Sequence, residues 1–542
     1  MKVNARIIKN GKSLSNEEIN NFFINKLFQL EDQFTKEIDR FSLICKKKNF
    51  VRLSSTLSRS NYQSRIYYDY CLLVCIQEFI ADGYLIEFIE ISRELEAVIQ
   101  ELNEVHPNSI LQYSVAYTNY SLLKDLMRLI KFMGLKLIQI ILIRLNFQKK
   151  LKLNECHALF SSYVFQGKVI KNNYFGNIID LPEPKVVFMP VIIDVSLSGI
   201  LNTLKELKGI KNKLVFREHH LSIRDLFKGL SCTFLEKEFA KKITTKNTYD
   251  LLIRSHLLNS TFNTLSLEAH LNFLGFNKII KDLGCPKKLI LSWENQSSEK
   301  AIFLAASEHK EIKTYGFVSR PIKQNEFNII PSKQEIENSL SPSNIVVTGN
   351  KAFDRFNNIN SRIKVSMGPN LRYRWTYGTV KKSNTKLNNE LIFMMPGEKK
   401  SFESLKNIIF NLKGLDASKK YKIRAKLHPY FKQSKKLNGV EIIDKKIEDL
   451  PKGSLIISVA SIAALEAAAM GFRTIFYIQE SNEYETSLFL KDEKYPIPIF
   501  TDISELINKI EEDKFIDPIV QESIQADYFN SSINQGLDFF YK

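Results

Sequence analysis

The stretch KLHPY, Lys426–Tyr430, followed by LIISVASIAALEAAAMGFRTIFY, Leu455–Tyr477, decides how this chain is read. Ile423–Leu427 is a short apolar run ending at an imidazole, His428, and then at Pro429. Proline cannot continue a sheet ladder, so the chain leaves the sheet there and the ring projects from the strand end. Ser454–Val459 is a second apolar strand that ends in small hydroxyl residues and passes at once into an Ala-rich helix. Ser458 and Ser461 fall at that corner, where unbonded N–H groups and the positive helix end attract a phosphate, and where a serine also caps the helix. Glu466 lies one to two turns in, able to accept hydrogen bonds from a ribose. Gly471 closes the helix before the strand Thr474–Ile478. Lys426 and Arg424 add positive charge at the same strand end.

Upstream, LIFMMPGEKKSFESLKNIIFNL (Leu391–Leu412) is another strand and helix, with a turn at Pro396 and Gly397 that lets a ligand approach the backbone. From Lys185 onward apolar strands alternate with helices: Val186–Val195, Leu201–Leu207, Leu214–Phe216, Leu251–Arg254 (read as a strand), Leu265–Leu274, Leu289–Trp293, Lys313–Val318 and Ile345–Thr348. Such alternation predicts parallel sheets covered on both faces. The fold expected is therefore α/β, two Rossmann-like domains facing a cleft. Residues 1–365 form the first, with a helical start at Asn16–Phe41; 366–389, turn-rich and then polar and basic, is the linker; 390–542 is the donor-side domain. Open α/β sheets bind ligands at the C-terminal ends of their strands, where all the motifs above lie.

The pattern HP, then S-x-x-S-x-x-x-x-E-x-x-x-x-G, resembles the C-terminal domain of GT-B glycosyltransferases that build bacterial surface polysaccharide. Similar pairs occur in sialyltransferases, in Kdo transferases of capsule synthesis and in CDP-glycerol glycerophosphotransferases. LILSWENQSSEKAIFLAA (Leu289–Ala306) with TYGF after it is similar to the strand, E-x-x-x-x-E, helix, strand element of O-antigen-type surface carbohydrate biosynthesis proteins. The resemblance implies a transferase acting on a nucleotide sugar, with a CMP-linked acid sugar as the donor class favoured and a CDP-polyol phosphotransferase as the alternative. It assigns Gly397, Lys426, Pro429, Ser458, Ser461 and Glu466 to the donor and His428 to the departing phosphate. Glu294 and Glu299 are the candidates for the base that takes the acceptor proton, without a choice between them, and either could instead pair with Lys300 or Arg320. Asp194 stands behind them. Arg320, in VSRP where the family often has a histidine, is assigned to acceptor or donor contact. The serine corner also departs from the family, which often has adjacent hydroxyl residues where this chain has SVAS.

Composition bounds the alternatives. The 542 residues exceed one core, and 44% hydrophobic with 25% charged residues describes a folded globular chain. A formal charge of +18 calls for an anionic partner without choosing among nucleotide, membrane surface and nucleic acid. No nucleic-acid motif accompanies it, so nucleic acid is not expected, and a non-enzymatic basic binding protein is the second class held open. The absence of D-x-D, Walker A, G-x-G-x-x-G after a strand and H-E-x-x-H points away from kinases, dehydrogenases and zinc proteases, and to chemistry without metal or resident cofactor. The partners expected are a nucleotide-sugar donor and a glycan or lipid-linked glycan acceptor. Six scattered cysteines without a C-x-x-C read as buried thiols, and the first residues lack the apolar core of a signal peptide, so a cytoplasmic protein is expected. One segment is unusual. In Leu122–Lys152 dense apolar residues alternate with Lys124, Arg128, Lys131, Lys136, Arg144, Lys149, Lys150 and Lys152 against Asp125 alone. It reads either as a core helix with a basic face or as a helix lying on an anionic membrane at the inner face of the cell.

Overall fold

The computed structural model describes the chain apart from residues 1–2, 46–47, 61–62, 116–121, 148–151, 165–174, 176–185, 194–195, 210–213, 261–262, 360–361, 374–375, 377–388, 416–419, 429–436, 438, 480–483, 485–487, 491–496, 512–517 and 531–542. Asp194 and Pro429 therefore lie outside the described residues.

The first part is a helical layer on a small sheet. β1 (Ala5–Lys9) and β2 (Lys12–Ser13) form a hairpin turned by Asn10 and Gly11, both at positive φ; β3 (Leu85–Ile91) pairs antiparallel with β1, and β4 (Tyr113–Val115) parallel with β3. The helical start expected at Asn16–Phe41 is helix throughout but for Leu30, a correction to its continuity alone, as Asn16–Gln29 and Glu31–Ile44. The first opens with a capping box between Ser15 and Glu18. A second correction concerns Leu251–Arg254, which lies inside the helix Thr248–Asn259. Asn247 caps that helix by accepting from the Asp250 N–H at 2.8 Å, and Leu252, Ile253 and Leu257 enter the N-terminal core at helical spacing. A four-residue apolar window could not show that period.

Two parallel six-stranded sheets follow. The first contains β5 (Ala158–Val164), β6 (Val186–Ile192), β7 (Lys288–Ser292), β8 (Lys313–Val318), β9 (Asn344–Val347) and β10 (Lys364–Met367), in the order β10-β9-β8-β7-β5-β6. Every residue of β6 and β7 is buried, as expected for strands covered on both faces. Leu214, read as part of a strand, makes only an isolated bridge to Phe188. The second sheet contains β11 (Glu390–Met394), β12 (Lys422–Lys426), β13 (Glu441–Ile442), β14 (Leu455–Val459), β15 (Thr474–Tyr477) and β16 (Ile499–Phe500), in the order β13-β12-β11-β14-β15-β16. These are the two Rossmann-like domains. Chain direction across the sheet reverses between β5 and β7 in the first and between β11 and β14 in the second, and each reversal opens a crevice at the strand ends.

The connection between the sheets is not a polar tether at its start. β10 runs to Met367, Leu371 packs among Phe317 and Val346 of the first domain, and Tyr373 packs among Leu465 and Phe529 of the second. The halves are also joined elsewhere. Lys323 bridges Phe489, and the Leu490 N–H donates to the Ile322 carbonyl at 3.2 Å; within the second half, the Gln525 amide ties the connecting segment down by donating to the carbonyls of Thr376 and Ala469 at 2.8 and 2.7 Å. A buried charge cluster ties the N-terminal layer to the first Rossmann-like domain: Glu335 accepts from Arg59 at 2.6 Å and from Lys300 at 2.5 Å. Four cysteines (Cys45, Cys71, Cys75 and Cys156) are buried, Cys232 and Cys285 are half-buried, and all six are free thiols.

Candidate functional site

Strand register aligns the donor-side residues. Lys426, Met394 and Ser458 stand side by side at the C-terminal ends of β12, β11 and β14. Ser458 is fully buried, and its Oγ donates to the Met394 carbonyl at 2.8 Å and lies 3.1 Å from Ser461 Oγ. Ser461 caps the helix Ile462–Ala469, accepting from the Ala464 N–H at 3.3 Å. The two hydroxyls thus build the corner itself, and the positive helix end remains the anion-attracting element.

His428, half-buried, comes two residues after β12 and rests on Gly397: a Cβ there would stand 2.7 Å from its Nδ1. The imidazole and the serine corner therefore converge from two sides on the single segment Met394–Gly397. Lys426 donates to the Lys445 carbonyl. Burial lowers its pKa, opposed by the charges of Asp444 and Glu466. Glu466 is buried in the second turn of the Ser461-capped helix.

At the reversal of the first sheet, Glu294 and Glu299 have different surroundings. Glu299 is 3% exposed, and its Oε2 accepts from the N–H groups of Glu294 at 2.8 Å and Gln296 at 3.2 Å. Its Oε1 accepts from the Tyr163 hydroxyl at 3.2 Å; that hydroxyl also lies 2.5 Å from Ser298 Oγ. Burial, then the neighbouring Glu294 charge, pushes the Glu299 pKa up to about 8, so the carboxyl holds its proton at neutral pH. The cavity it lines with Tyr163, Asn272 and Ser292 is about 10 Å³, roughly the size of one water. Glu294 is half-buried, accepts from the Gln296 amide at 2.8 Å and lies 3.5 Å from Arg320 Nε. Arg320 continues to Glu326 at 2.8 Å, while Lys300 is engaged with Glu335.

Sequence spacing gave no hint of two tyrosines. Tyr163 comes from the end of β5 to meet Glu299. Tyr373, on the connecting segment and 4% exposed, has its pKa raised by burial and feels the charges of Arg372, Glu466, Arg320 and Glu294. It packs on Phe529 of the second domain, two residues after Leu371 enters the core of the first. Among the described residues, the cluster able to hold a metal ion is Cys285, His309 and Glu311. It precedes β7 and β8 and so lies at the N-terminal ends of those strands, opposite the crevice.

No protein-family model matches the chain, and no curated protein matches it. Among solved structures, UDP-GlcNAc 2-epimerase from Neisseria meningitidis bound to UDP-GlcNAc aligns at a TM-score of 0.37 and 13% identity, over 70% of this chain and 97% of that one. The trehalose-6-phosphate phosphatase N-terminal domain of Candida albicans aligns at 0.38 and 10% identity, over 72% and 98%. Likenesses at these scores add nothing to the strand orders given above, on which the fold rests.

Proposed function

We propose that the chain is a metal-independent, inverting glycosyltransferase that moves a sugar from a nucleotide donor, a CMP-linked acid sugar by preference, to a surface polysaccharide or lipopolysaccharide acceptor. One observation carries the reading: His428 and the Ser458–Ser461 corner approach the segment Met394–Gly397 from its two sides, at Gly397 and at Met394, by the chain reversal of the second sheet. An anionic leaving group there meets an imidazole, a helix N-terminus and Lys426 together. Glu466, on the same helix, takes the ribose.

Of the two carboxylates, Glu294 is the better base. Glu299 is committed to two backbone N–H groups and closed in by its small cavity, whereas Glu294 is half-buried beside Arg320 and near the Tyr373 junction. In the proposed step Glu294 removes the acceptor hydroxyl proton, the oxygen attacks the anomeric carbon from the face opposite the phosphate, and the C–O bond to phosphate breaks with its electrons going to the nucleotide. His428 and the helix end stabilise that charge.

The test is thermal stabilisation of the full chain by CMP, CDP, UDP and GDP, since a ligand that binds only the folded state raises its melting temperature. A rise with CMP that disappears in His428→Ala supports the reading. A rise with CDP alone moves it to polyol-phosphate transfer, and no rise with any of the four overturns it.

A further inference from the structure

The helix Leu122–Asn146 is apolar on two sides. One side, with Leu129, Ile140 and Ile143, is buried in the protein. The other is not. Met127 is 61% exposed, Ile130 63%, Ile138 36%, Ile141 47% and Leu145 77%. At 3.6 residues per turn these five side chains fall within an arc of about 80° and make a stripe roughly 27 Å long. Gly134 falls on the same line, and nothing lies within 4 Å of where its side chain would start. Apolar stripes of this length on soluble surfaces mark contacts with something else.

The charges on the helix say what. Arg128 and Lys131, both exposed, flank the stripe on one side; on the other, Arg144 is exposed along its stem while its guanidinium donates to the Leu221 carbonyl. The acid, Asp125, lies 3.5 Å from Arg128. Lys136 is buried and bound to Glu268 at 2.9 Å. Two neighbouring helices add exposed apolar residues, Leu197 and Leu201 on Leu197–Leu207, and Ile223 and Phe227 on Ile223–Lys242. The latter helix shares a core cluster with this one through Leu226 and Leu129. No helix among the described residues is long and apolar enough to cross a membrane. A second copy of the chain is a poor occupant. A second copy brings the same flanking cations and offers them no complementary charge.

We infer that this helix lies in the plane of an anionic phospholipid surface, its stripe sunk to the acyl boundary and Arg128 and Lys131 among the phosphates. The inference stands apart from the transferase reading, because it depends on no residue of the cleft. If both hold, the surface accounts for how a soluble catalyst meets a lipid-linked acceptor.

The test is co-sedimentation of the full chain with vesicles of phosphatidylcholine alone and of phosphatidylcholine mixed with phosphatidylglycerol. Binding to the mixed vesicles only, weakened by salt, is expected. Ile130→Asp with Ile141→Asp lowers the bound fraction about tenfold or more, and Arg128→Glu with Lys131→Glu removes the preference for phosphatidylglycerol. All four positions are exposed, so melting temperatures are expected to stay close to that of the parent, which separates lost binding from lost folding. Three results overturn the inference: no binding to either vesicle, undiminished binding of the Asp variant, or a dimer by light scattering that the Asp variant dissociates.

Discussion

The imidazole of His428 lies so close to Gly397 that any side chain there would occupy its place: Nδ1 is 2.7 Å and Cε1 3.0 Å from the position of a Cβ. Gly397→Ala is therefore expected to push the ring off the Met394–Gly397 segment while leaving the sheet intact. Transfer and donor hydrolysis fall at least about tenfold, equivalent to ~1.4 kcal/mol of barrier, with little change in melting temperature. Equal activity in Gly397→Ala and the parent, measured as nucleotide release, removes His428 from the mechanism.

Glu294 and Glu299 separate by their response to amide substitution. Glu294→Gln keeps the shape but cannot take a proton, so transfer is lost while nucleotide binding persists. Glu299 has a folded-state pKa raised from 4.5 to about 8. Its contribution to stability is complete below 4.5 and is lost as pH rises through 8. Glu299→Gln does not titrate, so its melting temperature gains on that of the parent between pH 4.5 and 8. Curves that stay parallel over that range contradict a protonated Glu299.

Glu335 behaves with the opposite sign. Burial alone raises its pKa, but the charges of Arg59 and Lys300 outweigh it and bring the value from 4.5 down to about 2. The stabilisation it provides is present above 4.5 and lost as pH falls toward 2. Glu335→Gln leaves two buried cations without their anion, which costs about 3–5 kcal/mol. Denaturant unfolding at neutral pH reads that loss, and the variant's acid unfolding curve is expected to be flatter in the same window.

Ser461→Ala removes the cap of the helix Ile462–Ala469 and the hydroxyl facing Ser458. Loss of about 1 kcal/mol of stability is expected from the cap. Restoration of stability, but not of nucleotide affinity, in Ser461→Asp would show that the corner must stay neutral to receive a phosphate.

The strand ends of the second sheet were legible because their signals are local. The strand ends at His428 and Ser458, the cap at Ser461 and the closing Gly471 are each written within a few residues, and strand register then brings them together. The first sheet was less so. Glu294 and Glu299 look alike in sequence, and only burial and the approach of Tyr163, 131 positions before Glu294, distinguish them. Leu251–Arg254 misled because a short apolar run has no period of its own. Gly368–Tyr373 lies in the turn-rich start of the linker, and turn residues do not show that two of its side chains, Leu371 and Tyr373, enter separate cores.

The return of the chain at Gln521–Phe529 also bears on how the protein is made. Ile524, Tyr528 and Phe529 complete the same cluster as Leu465 and Ala469, and Asn530 donates to the Gly368 carbonyl at 2.8 Å. During synthesis domains ordinarily settle as they emerge. Here the second Rossmann-like domain stays open on one side until Phe529 has emerged, so a chain truncated before that point is expected to expose apolar surface.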